Sequence, residues 1–181
     1  MPIANCPAGV WEAPGKREPL SSDISIDLVT SLEGLDFGVM AELNALAWGS
    51  RVEGRDIDKR ARKLHQRLAA LDPAGRGVFL ARDAGKLVGF CWMHRDTDDP
   101  ACWWLVGLVV HPDFRMQGIG RALVGAAIGY ARGQGAPLIR FQTHADNAAS
   151  IAFHECLGFA SDGHFTAPDG DQLVAFRMPL G

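Results

Sequence analysis

The stretch Val109-Val110-His111-Pro112-Asp113-Phe114-Arg115-Met116-Gln117-Gly118-Ile119-Gly120-Arg121 decides how this chain is read. An apolar run ends at His111-Pro112, a short polar loop follows, and from Gly118 the pattern turns helical. A strand that feeds a helix in this way leaves the first backbone N–H groups of the helix without intrahelical partners, at the positive end of its dipole. Such a junction holds anions. Gly118 and Gly120 remove side chains where an oxygen must approach the backbone, and Arg115 and Arg121 add donors and positive charge.

Three anion motifs compete for the segment. A P-loop requires Lys-Ser or Lys-Thr after its second glycine, and neither follows. The dinucleotide fingerprint requires a third glycine where Leu123 stands, and an acidic residue at the end of the next strand, which is missing. A diphosphate gripped by one R-x-x-G-x-G turn fits every position.

On the N-terminal side, Cys102–His111 is almost continuously apolar, as expected of a central strand covered on both faces. Gly107 interrupts it. It marks either a bulge and close backbone approach, or a glycine that faces tryptophan packing. On the C-terminal side, Gly118–Gly133 predicts a helix rich in small residues (Ala122, Gly125, Ala126, Gly129). Their number suggests close packing on the sheet.

Further out, Ile24–Val29 alternates as a first strand, and Asp36 to Trp48 and Asp56–Leu71 carry helical spacing. Val78–Asp83 and Lys86–His94 flank Ala84-Gly85 as a hairpin. Leu138–Thr143 reads as a strand, and Asn147–Leu157 as a helix with Asn147 as N-cap and Gly158 as stop. Phe159–Phe165 and Gln172–Met178 are strands joined around Pro168-Asp169-Gly170. This order predicts one mixed α/β domain over residues 23–181, with a helix crossing between strands in its middle. Met1–Ser22, rich in Pro, Gly and charge, reads as a flexible lead-in.

Composition narrows the function. A formal charge of −3 lacks the basic excess of a nucleic-acid binder. Cys6, Cys91, Cys102 and Cys156 form no CxxC pair, so no zinc site is expected, and structural disulfides are not expected either. Neither a secretory leader nor a membrane span is apparent, so a reduced, cytoplasmic protein is expected.

Arg115-Met116-Gln117-Gly118-Ile119-Gly120, preceded by Val110-His111-Pro112, resembles the acyl-CoA pyrophosphate motif of the GNAT (N-acetyltransferase) superfamily. A second block, Asn147-Ala148-Ala149-Ser150-Ile151-Ala152-Phe153-His154-Glu155-Cys156-Leu157-Gly158-Phe159, resembles that family's asparagine block ending in Gly-Phe. Together they cover roughly Trp103–Phe159. The resemblance implies a GNAT fold: a central mixed, mostly antiparallel sheet flanked by helices, in the order β1-α1-α2-β2-β3-β4-α3-β5-α4-β6-β7. It implies acetyl-CoA as cofactor and an amine-bearing acceptor as partner, with a possible homodimer.

The resemblance assigns Arg115, Met116, Gln117, Gly118, Ile119, Gly120 and Arg121 to the pyrophosphate. It assigns Leu108, Val109 and Val110 to the pantetheine amides, on a strand that bulges and splays to open the cofactor slot. Asn147 and Ser150 fall near the pantetheine arm, although Asn147 serves equally as a helix cap. His154 stands where the family most often has a tyrosine acid. It is either a general acid toward the departing thiolate or a histidine that only packs.

No carboxylate lies in Trp103–Val110, so His94, Asp96 and His144 are the base candidates. Asp96, Asp98 and Asp99 form an acidic loop that either attracts an amine or is merely solvated. Trp48, Trp92, Trp103 and Trp104 either line an acceptor pocket or fill the core. Cys102 and Cys156 show no activating partner, which favours direct attack in a ternary complex over an acyl-enzyme. The rival class is a non-catalytic acyl-CoA-binding regulatory module. Small amine, amino acid, aminoglycoside and protein N-terminus all remain open as acceptors.

Overall fold

The computed structural model describes residues 23–49 and 56–181. The lead-in expected at 1–22, Cys6 and most of the link between the first two helices lie outside the described residues.

The elements follow the predicted order. They are β1 (Ile24–Val29), α1 (Phe37–Trp48), α2 (Ile57–Ala69), β2 (Arg76–Asp83), β3 (Lys86–Arg95), β4 (Cys102–Val110), α3 (Ile119–Gly133), β5 (Leu138–His144), α4 (Ala148–Cys156), β6 (Ala160–Thr166) and β7 (Gln172–Pro179). Local chemistry sets several boundaries. Asp36 caps α1 by accepting from the Val39 N–H at 3.0 Å, and Asp56 caps α2 by accepting from the Lys59 N–H at 3.2 Å. Ala84 and Gly85 turn the β2–β3 hairpin with positive φ.

Among the described residues the strands form one sheet in the order β1-β2-β3-β4-β5-β7-β6. Every pairing is antiparallel except β4 with β5. The expected central place of β4 holds, and its apolar run has a cause on each face. Trp103 and Leu105 join the cluster under α3, with Phe79, Leu123, Ile128, Ile139 and Phe176. Val106 and Val109 join the cluster under α1 and α2, with Met40, Leu43, Leu68, Phe90 and Trp92. Each large apolar side chain buried this way contributes roughly 1.5–3 kcal/mol.

Two expectations about glycines come out differently. Gly107 has φ +66, and β4 slips by one residue there, so that Gly107 and Leu108 together oppose Cys91. It also faces the Trp92 ring. Bulge and tryptophan packing are thus one feature. The later glycines of α3, by contrast, do not mediate close packing. A β-carbon at Gly125, Gly129 or Gly133 would meet nothing within 4 Å. α3 buries Ile119, Leu123, Val124, Ala127, Ile128 and Ala131 instead, and the glycines ride on its other side.

Candidate functional site

β4 and β5 are parallel but pair only through Cys102, Trp103 and Trp104 with Leu138, Ile139 and Arg140. Beyond that they separate, while β4 stays bonded to β3 and β5 to β7. The bulge at Gly107–Leu108 turns β4 away from β5. The result is a fork with its vertex at Trp104 and Arg140. From Leu105 onward, the edge of β4 turned toward β5 has no strand on it. Leu108, Val109 and Val110 lie on this unpaired stretch of β4. A free strand edge offers N–H and C=O groups to an extended amide chain.

The open end of the fork carries the helix junction. A short 3-10 turn, Pro112–Phe114, leads from β4 to the loop, and Gly118 stands as N-cap of α3 with φ +85 and no side-chain cap. The first helical bond closed is that of the Ala122 N–H to the Gly118 carbonyl. The N–H groups of Ile119, Gly120 and Arg121 therefore lie in the unpartnered first turn. Met116 has φ +62 and is fully exposed. Gly120 packs toward Phe153 of α4 and Val110 of β4, so the junction sits between both sides of the fork. The geometry fits a diphosphate whose attached chain runs into the fork.

The side chains of the turn behave less uniformly. Arg115 donates through Nε to the Val110 carbonyl at 3.3 Å and through Nη2 to the Ala47 carbonyl at 2.7 Å. Its guanidinium staples the end of α1 to the end of β4. Gln117 donates through Nε2 to the Asp113 carbonyl at 3.1 Å and stiffens the loop. What the turn offers an anion is chiefly backbone.

On the β5 side, Asn147 caps α4 by accepting from the Ser150 N–H at 3.2 Å, and donates through Nδ2 to Thr143 Oγ1 at 3.3 Å. The cap role is thus occupied. His154, seven residues on, is 1% exposed. Its ring stacks on Phe141 at 3.6 Å and 15° and meets Phe153 and Phe159 edge-on. Burial pushes its pKa down to about 4, only partly opposed by the bond to the Ser150 carbonyl. That bond, 2.8 Å from Nδ1, places the proton on Nδ1 and leaves Nε2 as a buried, unpartnered lone pair. A ring that is neutral and shut in the core cannot serve as a proton donor at neutral pH. The packing reading of His154 fits this setting, and the acid reading does not.

The three base candidates separate clearly. Asp96 accepts from Trp104 Nε1 at 2.5 Å and from the backbone N–H groups of Asp98 and Asp99. The Trp104 bond, followed by the Asp98 one, holds its carboxyl below the ordinary carboxylate range, which makes it a weaker base and an anchor of the β3–β4 loop. His144 leans on Asp171 at 3.7 Å, four residues beyond Arg140 and roughly 13 Å farther along β5. His94 lies half-buried opposite Trp104, at the level of the vertex. Its Nδ1 bonds the Arg95 carbonyl at 2.9 Å, so its Nε2 carries the free lone pair.

Of the tryptophans, Trp92 and Trp103 are core, on opposite faces, while Trp104 and Trp48 are half-buried. Burial raises the thiol pKa of Cys91 and of Cys102, so neither is an activated nucleophile. No group of His, Cys, Asp and Glu among the described residues is arranged to hold a metal. No helix among them is long and apolar enough to cross a membrane. Sequence reasoning missed Arg140. Its place at the vertex follows only from strand register.

Comparison with known proteins places this geometry. The model of the acetyltransferase (GNAT) family matches residues 40–159. A mycothiol acetyltransferase of Streptomyces coelicolor is 30% identical over 136 residues, which is 75% of this chain and 43% of that protein. The chain spans about half the length of the curated relatives it matches. A GNAT-family structure from Desulfovibrio desulfuricans superposes with a TM-score of 0.72 at 17% identity, covering 87% of this chain and 99% of that one. The PaiA N-acetyltransferase of Thermoplasma acidophilum, in complex with coenzyme A, gives 0.63 at 18% identity over 83% of this chain and 98% of that one. These two likenesses establish the fold. With two thirds of the residues inside the family model and the fork and turn in place, the chain belongs to the acetyltransferase (GNAT) family.

Proposed function

We propose that the protein is an acetyl-CoA-dependent N-acetyltransferase that delivers the acetyl group to a primary amine by direct attack in a ternary complex. The observation that carries this reading is the β4–β5 fork closing on Trp104 and Arg140 and opening on the Gly118–Arg121 junction. The backbone N–H groups of Ile119, Gly120 and Arg121 hold the pyrophosphate, and the free edge of β4 from Leu108 to Val110 bonds the pantetheine amides. When bound, the thioester supplies the activated acetyl group.

The residues of this chain do the rest. An amine of ordinary pKa near 10 arrives protonated at neutral pH and must lose a proton before it attacks. His94 is the base we assign, directly or through one water, since its Nε2 lone pair is free at the level of the vertex. Trp104, fixed by Asp96, forms the wall beside it. Positioning supplies the remaining acceleration, and as the new C–N bond forms the thioester C–S bond breaks and CoA leaves as its thiolate. Cys91 and Cys102 are not set up to carry the acetyl group, which supports direct transfer.

The test is thiol release from acetyl-CoA across a panel of amines, run beside calorimetry with CoA. Turnover that falls at least about a hundredfold in His94→Ala supports the scheme. CoA binding without turnover over the whole panel would instead identify a regulatory module.

A further inference from the structure

Strand register places His94, Trp104, Arg140 and Arg177 directly opposite one another on β3, β4, β5 and β7. Opposed residues share a face of the sheet. The residues next to them in sequence, Met93, Trp103, Ile139, Phe176 and Met178, point to the cluster under α3. The row therefore lies on the other face, where α1 reaches β3 and β4.

Three members of this row have partners. His94 bonds the Arg95 carbonyl, Trp104 bonds Asp96, and Arg177 pairs with Asp162 at 3.5 Å. Arg140 differs. It is half-buried, its Nε is closed to solvent with no hydrogen-bond partner, and its guanidinium makes no hydrogen bond or ion pair among the described residues. A guanidinium keeps its charge at any pH of interest and carries only donors. Partial burial of such a group without an acceptor is costly, and the cost is relieved when an acceptor arrives. Arg140 stands at the vertex of the fork, where the transferred group must sit under the proposed function.

We propose that Arg140 receives a carboxylate of the acceptor, so that the acceptor is an amine carrying a carboxylate close to its amino group. This rests on the acyl-transfer reading and narrows it. A guanidinium takes both oxygens of a carboxylate through parallel N–H bonds, which fixes orientation as well as position. Trp104 offers a flat apolar surface between Arg140 and His94. An acceptor anchored on Arg140 thus presents its amino group toward the base across that surface. The same row selects against polycationic acceptors, which would bring ammonium groups up to Arg140 and Arg177.

The experiment compares L-α-amino acids with their α-amides as acceptors, by steady-state acetyl transfer in the full-length protein. The amino acids are expected to show kcat/KM at least about tenfold higher than the amides, mainly through KM. In Arg140→Gln this ratio should fall to near one, and Arg140→Lys should restore part of it. CoA affinity, measured by calorimetry, should match the parent in both variants, which reports an intact fold and cofactor site. The proposal is overturned if the parent uses amides or polyamines as well as amino acids. It is overturned if Arg140→Gln leaves the ratio in place, or if amino acids neither react with nor bind to the CoA-loaded protein. Failure of the parent to bind CoA removes the acyl-transfer reading itself, and this one with it.

Discussion

The β-carbon that Gly107 lacks would lie 2.0 Å from the Trp92 ring. Trp92 is itself held by Phe90, ring to ring at 6.3 Å and 18°. At φ +66 the backbone of Gly107 adopts a conformation that other residues rarely take. The bulge that turns β4 away from β5 is thus held by an indole packed into the space a side chain would need. Gly107→Ala is expected to cost about 2–5 kcal/mol in urea unfolding, from left-handed strain and overpacking together. Trp92→Leu in the same chain should recover part of that loss, as a non-additive pair. A cost under about 1 kcal/mol with CoA affinity intact would mean the bulge does not hold the fork.

Gly120→Glu puts a carboxylate into the first turn of α3, where we propose that the diphosphate binds. CoA affinity should fall at least about tenfold by calorimetry. Gly120→Ala separates charge from bulk. Its added carbon would meet Phe153 Cζ at 3.4 Å, an ordinary contact, and helix propensity improves by about 1 kcal/mol. CoA affinity close to the parent is expected for it. Parental affinity in the glutamate variant would sink the pyrophosphate assignment.

His154 makes stability depend on pH with a definite sign. Its folded pKa, about 4, lies below the ordinary value of 6.5. The unfolded chain therefore binds the extra proton first, and stability present above pH 6.5 is lost as pH falls toward 4. The loss amounts to the order of 3 kcal/mol. His154→Phe should flatten that limb of the stability curve. It should also leave no inflection to be removed from the kcat profile between pH 6 and 9. A basic-limb shift in that profile would restore the acid role.

Arg115 bonds both the Val110 carbonyl and that of Ala47, which lies 68 positions away in sequence. Arg115→Ala should lower unfolding free energy by about 1–3 kcal/mol. Hydrogen exchange should quicken at the end of α1 more than at the N-terminus of α3. Loss of CoA affinity with unchanged exchange would point instead to a direct phosphate contact.

The glycines on the outer side of α3 offer a control. Gly125→Ala and Gly129→Ala add carbons that meet nothing within 4 Å, and each should stabilise by about 0.5–1 kcal/mol. A melting temperature that falls would show that this side of α3 packs against something.

Most elements, and the strand-to-helix junction between β4 and α3, were readable from residue order. Helical and strand periods and the cap Asn147 act within a few residues of themselves. The same locality misled the reading of α3, whose glycines promised close packing until the buried side of the helix was known. His154 shows the limit equally well. Its spacing from Asn147 was legible, but whether that side of α4 met solvent or the Phe141 ring was not.

Sequence alone determined what each segment prefers to be and where a strand hands over to a helix, because backbone propensity and capping are short-range. Tertiary structure decided where β4 and β5 part, that Arg115 staples α1, that Asp96 is committed to Trp104, and that Arg140 is left facing the vertex. Those outcomes depend on strand register and long-range pairing. A one-residue slip would have sent every side chain of a strand to the opposite face.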